Sequence, residues 1–97
     1  MNKKIHVYST KDCPYCTDLK QMLDNHLIPY EVTDVDEEEK EWEEMCKTLN
    51  IEFVPTVIIV DDVLDTAKLL TPDIHFDEVQ ECFDQILEEV NNNGHTY

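Results

Sequence analysis

Ile5-His6-Val7-Tyr8, Ser9-Thr10-Lys11-Asp12 and Cys13-Pro14-Tyr15-Cys16 follow one another without a break, and their reading decides the fold. The first four residues alternate in character and predict a short strand. The next four form a loop. Pro14 suits the first position of a helix, because its missing N–H costs nothing there. A strand therefore runs through a short loop into a helix that opens on two thiols three positions apart. Cys13 falls at the helix N-terminus, where the dipole and the free backbone N–H groups favour a thiolate. The thiolate is the form that attacks a disulfide, so thiol–disulfide exchange is the chemistry this segment points to.

Working outward, Leu19, Met22, Leu23 and His26/Leu27 recur at helical spacing until Pro29 breaks the run. Tyr30–Val35 alternates as a second strand. The acidic run Asp34–Glu44 is expected to open a second helix, since acid at a helix start complements the dipole. Within it Trp42, Met45, Cys46 and Leu49 mark one buried stripe. Thr56–Val60 is a continuous apolar run, the pattern of a strand covered on both faces. Asp61-Asp62 is a turn, Val63–Leu70 its hairpin partner, and Thr71–His75 a loop. Asp77 and Gln80 are spaced as a capping box. The last helix carries Val79, Cys82, Phe83, Ile86, Leu87 and Val90 on one face and ends in a tail over about 92–97 that is expected to fray. The order β-α-β-α-β-β-α is that of an α/β protein with a four-stranded mixed sheet. Its first crossover is right-handed, and helices lie on both faces.

At 97 residues and 41% apolar composition, the chain is expected to form a single domain, 1–97, with one core. The net charge of −16 is unevenly placed. Up to residue 33, four lysines cancel four acids; beyond it, 19 acids face Lys40, Lys47 and Lys68, and there is no arginine anywhere. Such a surface argues against nucleic acid as a partner, because phosphate contacts need clustered cations. It favours partners with basic surfaces, and otherwise serves as a solvating face. No run approaches the roughly 20 apolar residues of a membrane span, and the first residues have no signal-peptide hydrophobic region. A cytoplasmic, monomeric protein is expected. There a Cys-X-X-Cys pair is redox-active or metal-binding more often than structural.

The chain resembles the glutaredoxins of the thioredoxin-fold superfamily. Two motifs carry the resemblance: Lys11-Asp12-Cys13-Pro14-Tyr15-Cys16 after the first strand, the Cys-Pro-Tyr-Cys sequence of the dithiol members, and Val54-Pro55-Thr56 before the third. It implies a thioredoxin/glutaredoxin fold and a glutathione-dependent disulfide oxidoreductase, with glutathione as co-substrate. Implied partners are disulfide-containing proteins, ribonucleotide reductase among them, and a glutathione or thioredoxin reductase system. It further implies a cis peptide bond at Pro55, with Val54 offering its backbone to an extended substrate. Cys13 would be the nucleophile and Cys16 the resolving thiol. Lys11 would support the thiolate, Tyr15 would flank the groove, and Asp77 with nearby N–H groups would hold the γ-glutamyl end of glutathione. The chain departs from the family where a Gly-Gly pair usually follows the fourth strand: Asp65–Asp73 contains no glycine, and the only glycine is Gly94. Pro55-Thr56 is also similar to thioredoxins, which keeps open a protein reduced by a flavoprotein thioredoxin reductase.

Other readings of the thiols are a metal site and an acidic binding or [2Fe–2S] carrier module. Structural zinc wants four ligands, usually two such pairs. Here Cys46 and Cys82 fall on apolar helix faces, as buried free cysteines do, and His6, His26, His75 and His95 show no ligand spacing. Pro14 argues against a cluster, so no metal is expected.

Overall fold

The computed structural model describes residues 3–72 and 74–91. The expected elements are present in the expected order: β1 (Lys3–Ser9), α1 (Pro14–Asn25), β2 (Glu31–Asp34), α2 (Glu39–Leu49), β3 (Thr56–Asp61), β4 (Thr66–Leu70) and α3 (Val79–Asn91). The strands form one mixed sheet in the order β2-β1-β3-β4. β1 pairs in parallel with β2, Val7 opposite Val32, and antiparallel with β3, Val7 opposite Val57. β3 and β4 form the antiparallel hairpin. This is the thioredoxin arrangement.

Alternation along β1 and β3 sorts side chains to the two faces. Ile5, Val7, Val57 and Ile59 enter the main core with Leu19 and Leu23 of α1 and Val79, Cys82, Phe83 and Ile86 of α3. Burying each such side chain contributes roughly 1.5–3 kcal/mol before entropy is counted. On the opposite face Tyr8 stacks on Trp42, ring centroids 5.8 Å apart, and His6 packs on Tyr8 at 4.6 Å. α2 therefore covers the face that α1 and α3 leave, and the core-facing helices α1 and α3 sit together on the other.

Four details differ from expectation. The stripe Trp42, Met45, Cys46 and Leu49 is not buried: the first three are half-buried and Leu49 is exposed. α2 is the shell of a thin second layer rather than a wall of the main core, so Cys46 is no core residue. Asp34 ends β2 instead of opening α2. Its carbonyl accepts the N–H groups of Glu37 and Glu38, and its carboxylate accepts that of Asp36, so the acidic run first makes a turn. The hairpin turn is longer than Asp61-Asp62. Asp61 accepts N–H bonds from Val63 and Leu64, and Asp65 supplies the left-handed residue (φ 55°) that glycine often fills. Finally, Asp77 and Gln80 do not form the capping box. Glu81, three residues after the cap position Glu78, reaches back instead. The tail over 92–97 and the glycine it contains lie outside the described residues.

Candidate active site

Strand β1 delivers the chain to the C-terminal edge of the sheet, and α1 starts there. Cys13 is the N-cap residue, extended at φ −107° and ψ 103°, with Pro14 at the first helical position. The N–H of Cys16 donates to Cys13 Sγ at 3.1 Å, so the sulfur itself serves as the cap acceptor. The carbonyl of Cys13 accepts from the N–H and the hydroxyl of Thr17. Cys13 and Cys16 are joined as a disulfide, their Cα atoms 5.2 Å apart. Cys13 is 8% exposed and Cys16 is fully buried, so Cys13 is the one of the pair that lies at the surface. This sulfur thus sits at the positive end of the α1 dipole, on the Cys16 N–H.

The peptide bond between Val54 and Pro55 is cis, as the resemblance implies. Thr56, buried, holds this turn: its hydroxyl donates to the Phe53 carbonyl at 2.6 Å and meets the Thr71 hydroxyl at 2.9 Å. Thr71 in turn donates its N–H to His75 Nδ1 at 3.1 Å and accepts the His75 N–H at 3.0 Å. The cis-proline turn and the 71–75 loop are thereby bonded into one unit. His75, unremarkable in sequence, is a staple of that loop.

Tyr15, Phe53, Val54, Pro55, Pro72, Phe76, Asp77 and Val79 line a depression of about 250 Å³. Four residues expected at the site (Tyr15, Val54, Pro55 and Asp77) thus come together at its rim. Lys11 lies on the exposed turn two residues before Cys13 and is not among the lining residues. A second hollow of about 200 Å³ adjoins the first through Phe53 and Pro72 and continues to Asn50, Ile51, Glu52, Thr71 and Ile74. Phe53 and Ile74 carried no sequence signal beyond being apolar in a loop.

The start of α3 differs from what glutathione binding by the family implies. The N–H groups of Asp77 and Glu78 both donate to Glu81 Oε1, each at 2.9 Å. Those two bonds hold the Glu81 carboxyl below the usual carboxylate range, Glu78's contributing most. The amides expected to hold a ligand carboxylate are therefore occupied by the protein's own side chain. A spacing of three between Glu78 and Glu81 was the available signal, since a Glu at the third helical position reaches back to the cap. Of the two remaining cysteines, Cys82 is buried and its thiol is pushed up to about 12 by burial. Cys46 is raised by burial and then by Glu52 and Glu43. Neither environment favours a thiolate. Among the described residues no His, Cys, Asp and Glu group has the makings of a metal site.

A thioredoxin-like sheet, a dithiol at the mouth of its first helix and a cis-proline turn beside it define a class, the thiol–disulfide oxidoreductases. Within that class the chain belongs to the glutaredoxin family, whose model matches residues 5–64. A point mutant of the thioredoxin-like protein BC3987 is similar in structure, with a TM-score of 0.62 at 26% identity over 87% of this chain and 99% of that one. Thioredoxin f from spinach chloroplast (short form) gives 0.64 at 17% identity over 97% and 78%. Thioredoxin 1 from the thermophilic eubacterium Thermosipho africanus gives 0.61 at 22% over 95% and 99%. The last two speak for the fold alone. Comparison with curated proteins gives no match.

Proposed function

We propose that this chain reduces disulfides of polypeptide clients through Cys13 and Cys16, with glutathione as the reductant that restores the dithiol. The observation that carries the reading is the asymmetric pair: a reachable sulfur that caps α1 and a buried one a turn inside it. The Cys13 thiolate attacks one client sulfur, forming a mixed disulfide and releasing the other client sulfur as a thiolate that takes up a proton. Cys16 then gives up its proton and attacks Cys13 Sγ. This closes the Cys13–Cys16 bond and frees the second client thiol. The client gains two electrons and two protons, and the dithiol loses them. Two glutathione thiols reverse the change on the protein and leave as glutathione disulfide. Family membership supports glutathione.

A second reading takes the electrons from a flavoprotein thioredoxin reductase. The Glu81 carboxylate on the α3 amides favours it, because glutathione loses an anchor there. Insulin reduction run with glutathione, glutathione reductase and NADPH, beside an arm with thioredoxin reductase and NADPH, separates the two. Turnover in the first arm is expected; turnover in the second arm alone overturns glutathione as the donor. Cys13→Ser is expected to abolish activity in both arms. Cys16→Ser should retain reduction of mixed disulfides while losing that of intramolecular ones. Activity that survives Cys13→Ser defeats the assignment of the nucleophile.

A further inference from the structure

We propose that Glu81 is a specificity-determining residue of the thiol–disulfide site: its carboxylate fills the amide pair at the start of α3, so the groove selects cationic, apolar polypeptide disulfides over small anionic ones such as glutathione disulfide. The proposal deepens the function proposed above and rests on it.

Three large apolar side chains stand exposed along the hollows beside the cis-proline turn. Tyr15 is 64% exposed, Phe53 50% and Ile74 63%. They border two hollows that meet at Phe53 and Pro72. An extended segment lying across that ridge would place an apolar side chain in each. Among the described residues lining these hollows there is no lysine, arginine or histidine, and the charged ones are Asp77 and Glu52. Glutathione carries two carboxylates and one ammonium at neutral pH. Asp77 suits the ammonium, but each carboxylate meets a surface of its own sign. The two N–H groups best placed to receive one, those of Asp77 and Glu78, are engaged by Glu81 at 2.9 Å. Entry of a carboxylate there requires expulsion of Glu81. A lysine or arginine beside a client cystine meets Asp77, Glu81 and Glu52 instead, within the field of a chain of net charge −16. As a reductant glutathione then acts through its concentration rather than through fit.

The test uses the full chain, reduced beforehand and freed of reductant. It is mixed with a peptide whose internal disulfide is flanked by Leu and Lys, with the same peptide carrying Glu for Lys, with glutathione disulfide, and with the neutral bis(2-hydroxyethyl) disulfide. Loss of the Cys13 and Cys16 thiols is followed by quenched alkylation and mass, and each rate is divided by that of the neutral compound. At low salt the Lys peptide should react about tenfold faster than the Glu peptide. That ratio should shrink as the screening length falls from about 30 to about 8 Å at physiological salt. Glutathione disulfide should fall below the neutral reference. Glu81→Gln keeps an acceptor for the amides and drops the charge, and should narrow the peptide ratio. Glu81→Ala opens the amide pair and should raise the relative rate of glutathione disulfide several-fold. If Glu81→Ala does not fold, by circular dichroism, the Gln variant decides. A peptide ratio near one at low salt, or one that neither variant moves, overturns the proposal while leaving the oxidoreductase reading intact. If even the neutral disulfide fails to oxidise the thiols, it is the oxidoreductase reading that falls.

Discussion

The two faces of the sheet are built from helices of similar sequence character and end up unlike one another. α1 and α3 bury Leu19, Leu23, Val79, Cys82, Phe83 and Ile86 against Val7 and Val57. α2, on the other side, buries no side chain fully. Its apolar stripe has a helical period as clear as theirs, but only Trp42, Met45 and Cys46 come half under cover. Periodicity reports which way a helix turns its apolar side; it does not report how deep the neighbouring layer is. From the sheet, Tyr8 meets α2 by stacking on Trp42. The active site draws on the deep face, where the dithiol rides on α1 and the groove abuts α3. The shallow face is free to carry acid.

The sharpest way to break this comparison is to open a cavity on each side. Leu23→Ala removes a fully buried side chain between α1 and the sheet and should cost about 2–5 kcal/mol. Met45→Ala, on half-buried α2, should cost about 1 kcal/mol or less. Urea unfolding of the two variants measures both, and equal losses would mean that α2 closes a core as dense as that under α1. The next test uses the cysteines. With Cys13 and Cys16 kept oxidised, Cys82 should resist iodoacetamide until the protein unfolds, whereas Cys46 should label slowly in the folded state. Burial raises the Cys82 thiol from an ordinary 9.0 to about 12, so its contribution to stability is complete below pH 9 and is lost as pH rises towards 12. In that window the unfolded chain has released the proton and the folded one has not. Each pH unit should therefore lower stability by up to about 1.4 kcal/mol relative to Cys82→Ala. Parallel curves for the two proteins would show that the thiol is not buried.

Much of this was legible from the chain alone, for reasons that differ by element. The strand, loop and helix around Cys13–Cys16 were readable because Pro14, the alternating Ile5–Tyr8 and the two thiols all specify the same local geometry. Val54-Pro55 was readable as a cis turn only through family resemblance, since nothing local in the sequence distinguishes it from a trans strand start. What stayed hidden depends on distance. The spacing of Asp77 and Gln80 points to a cap at Gln80, but the carboxylate one residue further on reaches both amides. Its consequence for ligands emerges only when Asp77 is seen lining the groove. Phe53 and Ile74 lie 21 positions apart and border adjoining hollows because Thr56 and Thr71 tie their loops together. His75 joins that tie through its ring Nδ1 as well as its backbone N–H, and no spacing rule announces the ring bond.

The smallest expected effect concerns the acid itself. Glu39 and Glu43 stand one turn apart on α2, and like charges at that spacing destabilise a helix by a few tenths of a kcal/mol. Glu43→Lys turns that repulsion into an attraction, but it also sets position 43 against Lys40 and Lys47, which Glu43 attracts, so the pair energies nearly offset and stability should change by about 0.5 kcal/mol or less. Glu43 is also the third cause, after burial and Glu52, of the raised Cys46 thiol, so the same change should move that thiol down and quicken its alkylation. Faster alkylation with stability nearly unchanged is the informative outcome. A larger change in stability with no change at Cys46 would place the effect in the packing of the helix rather than in charge. Faster alkylation with a large loss of stability would mean that α2 frays locally when altered. If the faster alkylation fades as salt is added, the acid of the shallow face acts on Cys46 through charge, and the partial exposure of α2 is what lets so small a change be seen.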